Sequence, residues 1–186
     1  MRTIRLTKET QKDLLNSLLK RSPNNYAKYE FVVAEIIDKV REEGDAAIFS
    51  YTKKFDKWEM NADSIRVTEQ EMEEAFAEAE PEFIEVMKRS AANIEAFHQK
   101  QLRNSWIDTK SDGTILGQRI LPVSISGVYV PGGKAAYPSS LLMNVIPARV
   151  AGVRRIIMTT PAGADGKVNP GTLVAAKIAG VHEIYK

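Results

Sequence analysis

The sequence predicts an α/β chain in which a helical N-terminal region precedes a short, truncated parallel sheet of βαβαβ order. Three observations carry this. Up to about Arg103 the apolar residues recur at helical spacing. After Asn104 the pattern changes to brief apolar runs punctuated by Gly, Pro and Ser. From Ile125 such runs alternate with helical segments, the order that right-handed crossovers turn into a parallel sheet.

In the helical region, Leu14, Leu15, Leu18 and Leu19 form a one-sided stripe stopped by Ser22-Pro23. Phe31, Val32, Ile36, Ile37 and Val40 mark a second helix that Gly44 ends. Asp45 is positioned to cap a third, which carries Ile48, Phe49 and Phe55. Ile65, Arg66 and Val67 suit a brief extended piece. Thr68 and Glu71 then have the spacing of a capping box, each satisfying a backbone donor of the other. The acids from Glu69 to Glu85 read as a solvated helix surface, with an acidic docking face as the functional alternative. Pro81 suits a first helical position, and Phe83, Met87, Ala91, Ile94 and Phe97 continue as core at helical spacing.

Beyond Asn104, residues 106–109 and 116–120 flank a Ser111-Asp112-Gly113 turn and read as a β-hairpin. Strands follow at 126–130, 155–159 and 182–185. Helices are expected over 139–150, stopped by Gly152, and over 169–179, stopped by Gly180. Pro147 lies inside the first of these and should either kink it or end it early. Only three parallel strands result. An open parallel sheet needs cover on both faces and leaves reactive edges, so an oligomer or exposed apolar surface is expected.

Composition narrows the function. With 26 basic and 24 acidic residues the net charge is +2, which gives no electrostatic case for nucleic acid. There is no cysteine, which removes disulfides, thiolate catalysis and cysteine-bound zinc. The start, Met1-Arg2-Thr3-Ile4-Arg5, leads into a polar helix. No run approaches the roughly 18 apolar residues of a membrane span. A cytoplasmic protein without membrane contact is the expectation. His98 and His182 are the only histidines and share no ligand spacing, so no metal ligand and no catalytic residue is assigned.

The run from Gly127 to Ser140 is the strongest candidate site. An apolar strand ends in Pro131-Gly132-Gly133, and a Pro138-Ser139-Ser140 helix start follows. This is how a parallel sheet presents a ligand loop at the carboxyl ends of its strands. Gly132 and Gly133 allow positive φ and close approach of backbone to ligand. The helix start offers free N–H groups to an anion. Tyr129 supplies a flat ring and Lys134 a charge. The alternative is a tight turn that merely needs glycine. A P-loop does not fit, because Gly133 stands where its lysine belongs, and no Gly-x-Gly-x-x-Gly follows any strand.

Several blocks occur together in one order. They include Val40-Arg41-Glu42-Glu43-Gly44-Asp45-Ala46-Ala47, Tyr51-Thr52-Lys53-Lys54-Phe55-Asp56 and Ile94-Glu95-Ala96-Phe97-His98. Leu116-Gly117-Gln118-Arg119, Gly127-Val128-Tyr129-Val130-Pro131-Gly132-Gly133, Tyr137-Pro138-Ser139-Ser140-Leu141-Leu142-Met143-Asn144 and Pro147-Ala148-Arg149-Val150-Ala151-Gly152-Val153 complete the set. In these blocks the chain resembles the N-terminal part of histidinol dehydrogenase. The resemblance implies an NAD-dependent enzyme that oxidises L-histidinol to L-histidine in two steps, with zinc holding the substrate, in a homodimer built around Rossmann-like domains. It implies that Tyr129 contacts NAD and that Pro131, Gly132 and Gly133 shape the same loop.

The organisation implied is a mainly helical region over 1–103, a β-hairpin connection over 104–124 and a partial Rossmann-like NAD-binding half-domain over 125–186. The remaining NAD contacts, the zinc ligands and the catalytic Glu-His pair of the family are expected beyond Lys186, so no activity is expected of these residues alone. The alternatives are a related NAD-dependent dehydrogenase of another small polar alcohol, and a non-catalytic assembly or binding module.

Overall fold

The computed structural model describes residues 7–8, 10–12, 14, 27–132 and 136–186. Leu15, Leu18, Leu19 and the Ser22-Pro23 stop lie outside the described residues, as do Gly133 and Lys134. The chain divides into two compact units, Met1–Ala47 and Ile48–Lys186.

In the first unit, helix α1 spans Ala27–Glu43 and Gly44 closes it, its N–H donating to the Val40 carbonyl at 2.9 Å. Phe31, Val32 and Ile37 of α1 are exposed. Helix α2, Asp45–Phe55, crosses the boundary between the units. Asp45 is its first helical residue rather than the capping residue before it. Its carboxylate still lies at the positive end of the helix dipole.

The second unit is built on a parallel sheet. Strands β3 (Ile125–Tyr129), β4 (Arg155–Thr159) and β5 (Glu183–Tyr185) lie side by side in sequence order. Before them come α3 (Glu69–Glu78), α4 (Pro81–Gln99) and the hairpin strands β1 (Trp106–Thr109) and β2 (Ile115–Gln118). Helix α5 (Pro138–Val150) connects β3 to β4, and α6 (Pro170–Ala179) connects β4 to β5. The α/β class and the βαβαβ order hold.

Side chains alternate across the sheet, and the two faces differ. Val128, Met158 and Ile184 are register neighbours, are all buried, and meet the helices. Leu141, Leu142, Val145 and Ile146 of α5 are buried in the same core. Each fully buried side chain of this kind contributes about 1.5–3 kcal/mol. On α6 the buried set is Leu173, Val174, Ala175, Ala176 and Ala179, small enough for a close helix approach. The opposite face carries Tyr129, Thr159 and Tyr185 in one row, and Tyr129 is exposed.

Several local expectations are realised. Thr68 and Glu71 form the capping box of α3: the Glu71 N–H donates to Thr68 Oγ1 at 3.2 Å, and the Thr68 N–H to Glu71 Oε2 at 2.9 Å. Pro81 opens α4 and Gly180 caps α6. Pro147 does not end α5, which continues to Val150; the bond it forgoes is to the carbonyl of Met143, an exposed residue. The β1–β2 hairpin pairs antiparallel, with Trp106 opposite Gln118 and Thr109 opposite Ile115, and every strand residue is exposed.

Residues 65–67 have a sharper role than a loose extended piece. They close the outer edge of β5. Arg66 bridges Tyr185, the Val67 N–H donates to the Ile184 carbonyl at 2.9 Å, and the Lys186 N–H to the Ile65 carbonyl at 2.8 Å. No strand pairs with the outer edge of β3 among the described residues.

The acids of α3 form a largely solvated face, with Glu71 alone partly buried. Glu69, Glu71 and Glu74 pair with Lys177, Lys186 and Lys167 at 3.3, 2.5 and 3.7 Å. Partial burial works to raise the Glu71 carboxyl, but hydrogen bonds from Lys186 and Thr68 outweigh it and hold it below the usual carboxylate range.

Candidate functional site

The candidate loop leaves the sheet at the carboxyl ends of β3 and β4. Tyr129 is the last residue of β3, opposite Thr159, and the Val130 N–H then donates to the Thr159 carbonyl at 3.0 Å. Val130 is fully buried, so the chain is anchored immediately before Pro131 turns it outward. Because successive residues face opposite ways, Tyr129 with Thr159 and Thr160 with the start of α6 define two separate spaces.

The first is a cavity of about 190 Å³. Tyr129, Thr159, Pro161, Trp58, Asp56 and Lys186 contribute to its wall. The Lys186 ammonium lies 5.7 Å from the centre of the Trp58 ring, while its charge is paired with Glu71. Trp58 Nε1 is sealed from solvent without a hydrogen-bond partner among the described residues. The second cavity, of about 170 Å³, is lined by Gly132, Ala136, Thr160, Pro161, Asn169 and Thr172 among others. Pro161 belongs to both walls.

Of the four residues predicted for a cofactor, Tyr129 and Gly132 are thus brought to the same end of the sheet but open onto different cavities. Pro131 is exposed between them and Gly133 lies outside the described residues. Gly132 does not need a positive φ. It is required for close approach: a Cβ there would stand 2.7 Å from the Pro161 carbonyl oxygen. No sequence motif marks Asp56, Trp58, Thr159, Pro161 or Lys186 as site residues. Their contribution depends on tertiary placement, and no local spacing signals it.

Helix α5 begins beside this loop. Tyr137 holds the cap position without a side-chain cap bond, and Pro138 follows as the first helical residue. The first-turn N–H groups of Ser139 and Ser140 therefore remain as donors at the positive end of the helix. Asn144 Nδ2 donates back to the Ser140 carbonyl at 2.7 Å, which holds that first turn.

The two histidines make different contacts. His182 Nδ1 accepts the Ile156 N–H at 3.1 Å, which puts the proton of the neutral ring on Nε2. His98 Nδ1 lies 2.6 Å from Gln101 Oε1. Among the described residues no three His, Cys, Asp or Glu side chains converge to hold a metal ion. This donor set does not fit a zinc centre. No described helix is long and apolar enough to cross a membrane.

On the sheet face that carries Tyr129, Arg155 grips Glu183 through Nε at 2.5 Å and a second guanidinium nitrogen at 2.9 Å, and Tyr185 donates to the same carboxylate at 2.9 Å. The Arg155 hydrogen bond, reinforced by Tyr185, pulls the Glu183 carboxyl down to about 2. The same pairing raises the Tyr185 hydroxyl and the Arg155 guanidinium. This group is a cross-strand brace, with no free carboxylate for acid–base work.

Comparison with known proteins decides the family. The family model described as histidinol dehydrogenase matches residues 19–186. The chain belongs to the histidinol dehydrogenase family. It is 46% identical to histidinol dehydrogenase of Heliobacterium mobile over 183 residues, which is 98% of this chain and 43% of that protein. It is 53% identical to histidinol dehydrogenase of Geobacillus kaustophilus over 154 residues, 83% of this chain and 36% of that one.

The crystal structure of histidinol dehydrogenase from Elizabethkingia anophelis matches with a TM-score of 0.79 at 36% identity, over 84% of this chain and 36% of that chain. The chain therefore spans well under half the length of the histidinol dehydrogenases it matches. The loop from Gly127 to Ser140 lies within the matched residues.

Proposed function

We propose that this chain forms the N-terminal portion of a histidinol dehydrogenase and supplies one wall of its NAD site. The parent activity is the oxidation of L-histidinol to L-histidine, for which NAD, when bound, provides the hydride acceptor. The observation that supports this reading best is the position of Tyr129. Its exposed ring borders a cavity at the carboxyl ends of β3 and β4, where open α/β sheets bind their ligands.

Within that reading the chain's residues bind and orient. The Tyr129 ring offers a flat apolar surface to an aromatic ring of the cofactor. Pro131, Gly132 and Gly133 shape the loop, and the Ser139 and Ser140 N–H groups favour its negative charge. Both cavities are small beside the roughly 300–1,000 Å³ of a drug-sized site, which supports a site completed by further protein. Zinc in this reading is held by residues other than those described.

The organisation that goes with it is a helical region over 1–103, a connecting hairpin over 104–124 and a Rossmann-like half-domain over 125–186. A cytoplasmic homodimer completes the proposal. The exposed hairpin strands and the exposed Ile125 support association with more protein. Turnover tests the division of labour: the purified chain with NAD, L-histidinol and zinc should give no NADH absorbance at 340 nm. Sustained NADH production would overturn the assignment of the catalytic residues to protein outside this chain.

A further inference from the structure

The second cavity has features that the Tyr129 wall does not explain. It lies where the loop after β4 enters α6, a ten-residue helix. Thr160 and Thr172 both line it, and each is only 2% exposed. Neither hydroxyl has a hydrogen-bond partner among the described residues. Yet neither is sealed: the only sealed and unpartnered side-chain polar atom among the described residues is Trp58 Nε1. A hydroxyl that is open but reaches no partner among the described residues faces the cavity that its residue lines.

Two nearly buried hydroxyls without partners are costly unless something hydrogen-bonds to them. The surroundings select the partner's charge. The cavity sits at the N-terminal, positive end of α6. Pro170 at the first helical position has no N–H, and the Thr172 N–H is taken by the Asn169 side chain at 3.2 Å, which leaves Gly171 as the first-turn donor. Lys167 also lines the cavity, and its exposed ammonium is held only loosely, 3.7 Å from Glu74. The Asp165 carboxylate accepts the Lys167 N–H at 3.1 Å and is not part of the lining. At about 170 Å³ the space takes a group of several heavy atoms, since one liquid water occupies roughly 30 Å³.

The geometry points to a binding site for one tetrahedral oxyanion in this cavity, held by the Thr160 and Thr172 hydroxyls, the first turn of α6 and Lys167. The chemistry is that of a phosphate group, whether free or part of a dinucleotide. The site stands on its own residues and does not depend on Tyr129 as a cofactor contact.

Inorganic phosphate is the probe. It is titrated into the 186-residue chain at constant ionic strength, with chloride as the reference, and the amide resonances of Thr160, Gly171 and Thr172 are followed. Saturable shifts at these residues with phosphate and none with chloride are expected. Thr160→Val and Thr172→Val should each weaken phosphate about tenfold, the scale of a hydrogen bond to a charged group. Thr172→Ser keeps the hydroxyl and should keep the affinity, which separates loss of a donor from loss of packing. Competition by NAD would assign the phosphate to the dinucleotide; phosphate binding that NAD does not disturb would assign a free oxyanion. Absence of phosphate-specific shifts in the wild-type chain, or valine variants that bind phosphate as the wild type does, would overturn the site.

Discussion

The Gly132 backbone lies against the carbonyl of Pro161, so close that a Cβ on Gly132 would stand 2.7 Å from that oxygen. This contact ties the loop after β3 to the loop after β4 and sets the wall between the two cavities. Backbone offers little room to yield. Gly132→Ala should therefore cost about 1–3 kcal/mol, the range for overpacking. Urea unfolding would show it as a lower midpoint with an unchanged slope. An alanine variant as stable as the wild type would mean that the loops are not in register as described.

The Arg155–Glu183–Tyr185 brace makes stability depend on acid pH. Glu183 is held at about 2, below the value of about 4.3 it returns to on unfolding. The folded chain therefore binds fewer protons there, so the stabilisation is complete above about pH 4.3 and is lost as pH falls towards 2. Glu183→Gln should flatten the acid limb of the stability profile in that window and leave its shape above pH 5 unchanged. The half-exposed Arg155 makes the effect salt-sensitive. A carboxyl titration of Glu183 centred near 4 by NMR would contradict the account.

Trp58 packs on Gly166, where a Cβ would be 2.9 Å from the indole and φ is +75°. Gly166→Ala combines a left-handed backbone with a steric clash and should cost about 1–3 kcal/mol. Trp58→Phe removes the sealed Nε1–H, whose missing partner is itself a cost, so the lost ring area is largely offset. Its net effect should stay within about 1 kcal/mol by thermal unfolding. A neutral alanine variant, or a phenylalanine variant that fails to fold, would contradict this packing.

How much of this was legible in the sequence depended on the range of the interaction. The Thr68–Glu71 capping box is a contact between residues three apart, and spacing alone reveals it. The strands were readable because the parallel sheet buries Val128, Ile156, Met158 and Ile184 in short apolar runs. Residues 65–67 show only an extended pattern in the sequence. Their place on the edge of β5 depends on Ile184, Tyr185 and Lys186, which lie far along the chain.

At the site, glycine and proline punctuation exposed the Tyr129–Gly132 loop. The reason Gly132 is required was not legible, because it is a tertiary contact with Pro161 rather than a turn angle. Thr160 and Thr172 carried no signal, since threonine in a strand end or a first helical turn is ordinary. Only their burial without partners marks them.

The central claim, that Tyr129 forms a wall of an NAD site, is tested most directly by comparing NAD titrations of the wild-type chain and Tyr129→Ala, read by amide shifts and dissociation constant. Stacking of an aromatic side chain on a base is worth about 1–3 kcal/mol, so the variant should bind at least about fivefold more weakly. In the wild type the shifts should centre on Tyr129, Gly132 and Thr159. Equal affinity for the two proteins, or shifts confined to residues away from the carboxyl ends of β3 and β4, would contradict it.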